Sequence, residues 1–146
     1  MISVNNKDFL FAPIAGHIIS AEKVAHVQIG NNAEHALLVL TKTGYSSIPV
    51  LDAKDRLQGL LSMRAITESI LGLTHIEYER LPDLKVDEIM NTEIPTIRIT
   101  DRFQRGFDLL VDHPFICVVE DDGRFAGILT RRVLLKELKK YIYSAQ

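Results

Sequence analysis

The sequence predicts an α/β protein made of two tandem βαββα repeats, packed as a pseudo-two-fold pair with small mixed sheets inside and helices outside. Three observations carry this. Val24-Ala25-His26-Val27-Gln28-Ile29 recurs 70 residues on as Ile94-Pro95-Thr96-Ile97-Arg98-Ile99. Ile48-Pro49-Val50-Leu51-Asp52 recurs 68 residues on as Ile116-Cys117-Val118-Val119-Glu120, and the same offset carries Gly59-Leu60-Leu61-Ser62-Met63-Arg64 onto Gly127-Ile128-Leu129-Thr130-Arg131-Arg132. Finally, a stretch of about 60 residues does not easily bury both faces of a small sheet alone, so two such stretches share one core.

The elements follow in order. Val24 to Ile29 alternates apolar and polar residues, as a half-buried strand does. Asn31 and Asn32 supply a helix N-cap, Ala33, Ala36, Leu37 and Leu40 form an apolar stripe, and Gly44 closes the helix. Ile48–Leu51 and Leu57–Leu61 read as strands around a turn at Asp52-Ala53-Lys54-Asp55. Arg64 to Leu71 is a second helix, ended by Gly72. The second copy repeats the plan: a strand over Ile94–Ile99, a helix from Arg102 capped by Thr100 or Asp101, strands over Phe115–Glu120 and Arg124–Leu129 around Asp121-Asp122-Gly123, and a last helix from Arg131 to about Tyr141. This divides the chain into 1–73 (N-terminal segment plus first repeat), a connector over 74–85, and 86–146, entered by a short helix at Val86–Met90.

Composition bounds the function. The chain has 146 residues, 47% hydrophobic and 25% charged, with a net charge of −2. A general nucleic-acid binder carries a broad basic face, which this balance argues against. No apolar run reaches the ~18 residues of a membrane span, and the first residues lack a signal-peptide pattern. A cytoplasmic protein is expected. The single Cys117 excludes a disulfide framework or a multi-cysteine zinc site, and its place between Ile116 and Val118 marks it as buried and inert. The five histidines, at 17, 26, 35, 75 and 113, form no His-x-x-x-His pair. A P-loop, a Gly-x-Gly-x-x-Gly fingerprint and a Gly-x-Ser-x-Gly elbow are all missing. Asp121-Asp122-Gly123 lacks the spacing of a calcium loop. Neither an enzyme nor a cofactor is expected.

Apolar strand, then Gly44-Tyr45-Ser46-Ser47-Ile48-Pro49-Val50-Leu51-Asp52, Gly59-Leu60-Leu61-Ser62 and Gly127-Ile128-Leu129-Thr130 closely resemble CBS domains, a tandem pair of which is called a Bateman module. The resemblance covers roughly 14–141. It is looser in the second copy, where Asp112-His113-Pro114-Phe115-Ile116-Cys117 replaces the usual Gly-x-Ser-x-x-Pro. Lys23-Val24-Ala25-His26-Val27, Thr41-Lys42-Thr43-Gly44-Tyr45-Ser46 and Thr130-Arg131-Arg132 look like the stand-alone cyclic-di-AMP receptors of Gram-positive bacteria. The resemblance implies a ligand cleft between the repeats, formed by Lys23, Ala25, Val27, Tyr45, Ser46, Ser47, Ile48 and Pro49 with Thr130, Arg131 and Arg132. Val27, Ile48 and Pro49 suit the walls of an adenine slot, and small Ala25 leaves room for the ring. Tyr45 either stacks on a base or simply packs. A helix opening at Thr130-Arg131-Arg132 presents free N–H groups, positive potential and two guanidinium groups, which suits phosphate. The same arginines can otherwise belong to a solvated basic face with Lys136, Lys139 and Lys140.

One departure narrows the ligand. CBS sites for adenosine nucleotides usually carry Thr-x-x-Asp here, the carboxylate holding both ribose hydroxyls; this chain has Val133. A cyclic dinucleotide offers no free diol and brings a second phosphate, which a carboxylate repels and an arginine attracts. Cyclic-di-AMP is therefore the expected ligand, with AMP, ADP or ATP as the alternative and a ligandless dimerising adaptor as the reading from another class. The opposite cleft, from Pro95, Ile97 and His113–Cys117 with Ser62-Met63-Arg64, has bulky Phe115 and Pro114 and Ala65 at the aspartate position, so it is expected to be filled or weak. The resemblance also implies a homodimer through outer helices, for which Ala65, Ile66, Leu71, Phe107, Leu110, Leu134 and Leu138 offer contacts or internal packing. It further implies a regulated partner, such as a stringent-response alarmone synthetase/hydrolase engaged by the ligand-free form.

Overall fold

A computed structural model describes residues 9–144. The chain divides into two compact units, residues 25–94 and residues 9–24 together with 95–144.

In the 25–94 unit, β2 (Val27–Gln28), β3 (Ser47–Leu51) and β4 (Leu57–Ser62) form one sheet in that order. β2 and β3 run parallel, with Val27 opposite Val50, and β3 and β4 antiparallel, with Ile48 opposite Leu61. The parallel pair needs a crossover, which α1 (Ala33–Thr43) supplies. The Asn32 side chain caps α1 by accepting from the His35 N–H at 2.8 Å. Gly44 ends it at φ 74°, its N–H donating to the Leu40 carbonyl. Ala36, Leu40, Val50 and Leu61 fill the core with Ile66 of α2 (Met63–Ser69). The connector is not bare loop. A 3-10 turn over Tyr78–Asp83 buries Leu81, and α3 (Val86–Ile89) buries Val86 against the same core.

The other unit holds a four-stranded sheet, in the order β1 (Ile19–Ser20), β7 (Phe125–Thr130), β6 (Phe115–Val119), β5 (Thr96–Arg98). β5 and β6 run parallel, β6 and β7 antiparallel, repeating the first unit's plan. β1 is an addition that the repeat does not contain: Ile19 pairs with Ile128 and Ser20 with Gly127. Gly127 permits this approach. It sits at φ 148°, and a Cβ there would run into the Ile19 carbonyl oxygen. Ile14 is fully buried beside Ile97, Phe103, Ile116 and Leu129. Phe9 stacks on Phe103 of α4 (Phe103–Leu110) and meets Tyr141 of α5 (Arg131–Ser144), both at 5.5 Å between ring centres. The segment before Val24 thus packs with the second repeat, although the sequence joins it to the first.

Three element boundaries differ from the sequence reading. The first strand shrinks to Val27–Gln28, because Ala21–Lys23 forms a 3-10 turn that the Val24 N–H closes on the Ala21 carbonyl. α4 has Arg102 at its N-cap position with no side-chain cap, rather than Thr100 or Asp101. The Asp101 carboxylate is spent on the turn leaving β5, where it accepts from the Arg98 N–H at 2.8 Å. α2 stops at Ser69, before Gly72.

Candidate functional site

The last strand–helix junction is where the two repeats can be compared atom by atom. Thr130 Oγ1 accepts from the Val133 N–H at 3.1 Å and so caps α5; Ser62 Oγ accepts from the Ala65 N–H at 3.0 Å and caps α2. The Arg131 N–H donates to the Pro114 carbonyl and the Met63 N–H to the Ser46 carbonyl, each at 2.9 Å. The repeat therefore holds at the level of single hydrogen bonds.

The charges do not repeat. In α2 the Arg64 guanidinium lies 2.8 Å from the Glu68 carboxylate, one helical turn on, and that contact raises the Arg64 pKa further. The matching positions of α5 hold Arg132 and Lys136. Arg132 faces a lysine where Arg64 faces an acid, and it stands exposed. Together with Arg131, Leu135, Lys136 and Lys139 it lines a shallow concavity of about 430 Å³. One junction is neutralised and the other is a bare basic surface at a helix N-terminus, where an anion gains from both the guanidinium groups and the helix dipole.

Arg131 already has a duty of its own. Its Nε donates to the Leu110 carbonyl at 2.9 Å and an Nη to the Val111 carbonyl at 3.4 Å, capping the end of α4. A cation at a helix C-terminus satisfies orphan carbonyls and complements the dipole. Lys23 ends the 3-10 turn that follows β1 and packs on β7, so it belongs to the same unit as Thr130, Arg131 and Arg132 and is exposed.

The remaining site residues lie in the 25–94 unit. Tyr45 is 40% exposed, Ser46 is exposed, and Ala25 and Ser47 are half-buried. Val27 and Ile48 are packed into that unit's core, at 2% and 0% exposure, and Pro49 is buried within β3. Side chains alternate between the two faces of a strand, so Ile48 enters the core with Val27 while Pro49 lies on the opposite face of the sheet. Of the opposite set, Ile97, Ile116 and Cys117 are buried and Phe115 is half-buried. Burial pushes the Cys117 thiol up to about 12, which keeps it protonated and unreactive.

Sequence reasoning missed two features. One is the contrast between Glu68 and Lys136, legible at the 68-residue offset once the helices are aligned. The other is the His75-x-Glu77-x-Glu79 group, whose ligand atoms lie within 4.8 Å of one another. There Glu77 lies 3.2 Å from Arg80 and Glu79 lies 3.1 Å from His75.

Two small mixed sheets, each with the same strand–helix junction, are the architecture of a paired regulatory module. The CBS domain model matches residues 15–72 and 86–140, and the chain belongs to that family, whose modules bind ligands and regulate rather than catalyse. It is 51% identical over 144 residues to Cyclic di-AMP receptor B of Bacillus subtilis (strain 168), covering 99% of this chain and 98% of the receptor. The crystal structure of the CbpB protein of Listeria monocytogenes in complex with c-di-AMP matches with a TM-score of 0.83 and 59% identity, over 89% of this chain and 97% of that one. A CBS domain-containing protein of Bacillus anthracis matches with a TM-score of 0.85 and 52% identity, over 92% of this chain and 97% of that one. Among the described residues no helix is long and apolar enough to cross a membrane.

Proposed function

We propose that this chain is a cytoplasmic cyclic-di-AMP receptor that changes its affinity for a partner protein when the ligand binds. The observation that carries the reading is the basic junction at Arg132 and Lys136, which meets no acid among the described residues, set against its neutralised twin at Arg64 and Glu68. The ligand's phosphates engage Arg132, Arg131 and Lys23, and Thr130 orders the helix N-terminus that faces them. One adenine meets Ala25 and the Tyr45–Pro49 stretch, where Tyr45 is the exposed ring and Ser46 and Ser47 offer hydroxyls. Val133 contributes no carboxylate, so the site holds no clamp for a free ribose diol and favours the cyclic dinucleotide over AMP or ATP. The B. subtilis relative and the L. monocytogenes complex support the same ligand.

The receptor acts as a homodimer. Ile66, Leu110 and Leu134 are buried in the cores and are unavailable for that contact. Of the expected set Leu71, at 57% exposure, remains available, and Leu135 and Ile142 of α5 are likewise exposed. The regulated partner is a protein such as a stringent-response alarmone synthetase/hydrolase, bound by the ligand-free form. Linkage requires that the partner weaken ligand binding by the same factor that the ligand weakens the partner. Parallel calorimetric titrations with cyclic-di-AMP and AMP test the reading. Micromolar or tighter binding of the cyclic dinucleotide alone supports it, and equal or tighter binding of AMP overturns it.

A further inference from the structure

α5 carries a second feature, which starts at Val133 and Lys136 of the basic junction and runs on to Ser144. A groove of about 950 Å³ runs between the 16–19 segment and the helix. Its floor is apolar: Ile18 and Ile19 on one side and Val133 on the other, all half-buried. Its rim is basic, with Lys136 and Lys140 one turn apart and Lys139 beside them. The one acid among the described lining residues, Glu137, is already shared between His17 at 3.5 Å and Lys140 at 3.4 Å. Lys139 sits 5.7 Å above the Tyr143 ring at the groove's far end. From Val133 to Ser144 the helix rises about 16 Å, the length of three helical turns.

We infer that this groove is the docking site for an acidic amphipathic segment of a partner protein, its apolar side chains on Ile18, Ile19 and Val133 and its carboxylates against the lysine rim. The charge pattern selects this occupant. A small polyanion would satisfy the lysines but leave the apolar floor wet. An uncharged apolar helix would cover the floor but strand the ammonium groups. A segment with both faces satisfies both, as helix-in-groove recognition does. The inference deepens the partner regulation proposed above and rests on it for its meaning, because α5 bears both the Arg131–Arg132 junction and the groove.

The test uses the full chain and a fluorescein-labelled 14-residue peptide of alternating Leu-Leu and Glu-Glu pairs, read by anisotropy at low salt. The unmodified chain binds it, and Lys140→Glu with Ser144→Glu weakens binding at least ten-fold while the melting temperature holds. Equal binding by the double variant overturns the inference, as does equal binding of a Glu/Gly peptide that has no apolar face. Full competition by pyrophosphate assigns the groove to a small anion, and a change in sedimentation of the double variant assigns it to a second copy of this chain; either result also overturns it. Cyclic-di-AMP titrated into the same samples reports separately on the receptor reading, since neither substituted residue belongs to the ligand set. Loss of peptide binding with unchanged ligand affinity is the expected pair of results.

Discussion

Lys136→Glu would give the second junction the charge pattern of the first. In α2, Glu68 holds the Arg64 guanidinium at 2.8 Å, and a glutamate at 136 stands in the same relation to Arg132. Two effects then oppose phosphate binding. A positive charge is replaced by a negative one; at a separation of one Debye length, about 8 Å, each charge is worth about 0.5 kcal/mol in water and about 0.2 after screening at physiological salt. Drawing Arg132 into an i,i+4 pair costs about another 0.4 kcal/mol. The sum, about 0.8 kcal/mol, is about a four-fold loss of cyclic-di-AMP affinity. Lys136→Gln removes one charge without supplying a partner and should lose less than two-fold. Calorimetry on both variants gives the numbers, and raising the salt should shrink the difference between them. Unchanged affinity in Lys136→Glu would refute the claim that the missing acid makes this junction the anion site.

The remaining predictions separate fold from site. Arg132→Met should lower cyclic-di-AMP affinity by more than ~1.4 kcal/mol, the loss of a charge-assisted contact, while leaving urea stability unchanged; the reverse pattern would place the phosphates elsewhere. Arg131→Met should cost about 1 kcal/mol of stability even without ligand, because it uncaps the Leu110 and Val111 carbonyls; an unaltered denaturation midpoint would contradict that capping role. Gly127→Ala should destabilise by about 1–3 kcal/mol, since it combines a φ of 148° with a clash against the Ile19 carbonyl; a wild-type midpoint would contradict the β1–β7 pairing. Cys117, raised from 9.0 to about 12, stays a thiol in the folded state while the unfolded chain ionises. Its contribution is therefore intact below about pH 9 and is lost as pH rises towards 12, and a thiol reagent at pH 8 should label it only on unfolding.

The repeat was legible because its signals are local and periodic. Asn32 and Gly44 announce α1 at both ends, and the short apolar runs Ile48–Leu51 and Leu57–Leu61 around the Asp52–Asp55 turn announce β3 and β4. Thr130 was legible as the opening of the last helix for the same reason. The pairing of Ile19-Ser20 with β7 was not, because two residues carry no period and their partner lies more than a hundred residues away. Asp101 misled because a side chain that suits an N-cap equally suits the turn before it. Arg131 reads as a phosphate ligand in sequence, since a guanidinium at a helix start invites that; only the fold brings it to the Leu110 and Val111 carbonyls. Val27 and Ile48 read as apolar walls in sequence, and their burial in the core of the 25–94 unit carries no signal of its own there, because apolar residues near a cleft and apolar residues in a core look alike in one dimension.

The most direct measurement of the central claim is the stoichiometry of cyclic-di-AMP binding by calorimetry. A single basic junction predicts one ligand per chain, with excess AMP failing to displace it. Two ligands per chain would mean that the Arg64–Glu68 junction binds as well, and no ligand at all would contradict the receptor reading itself.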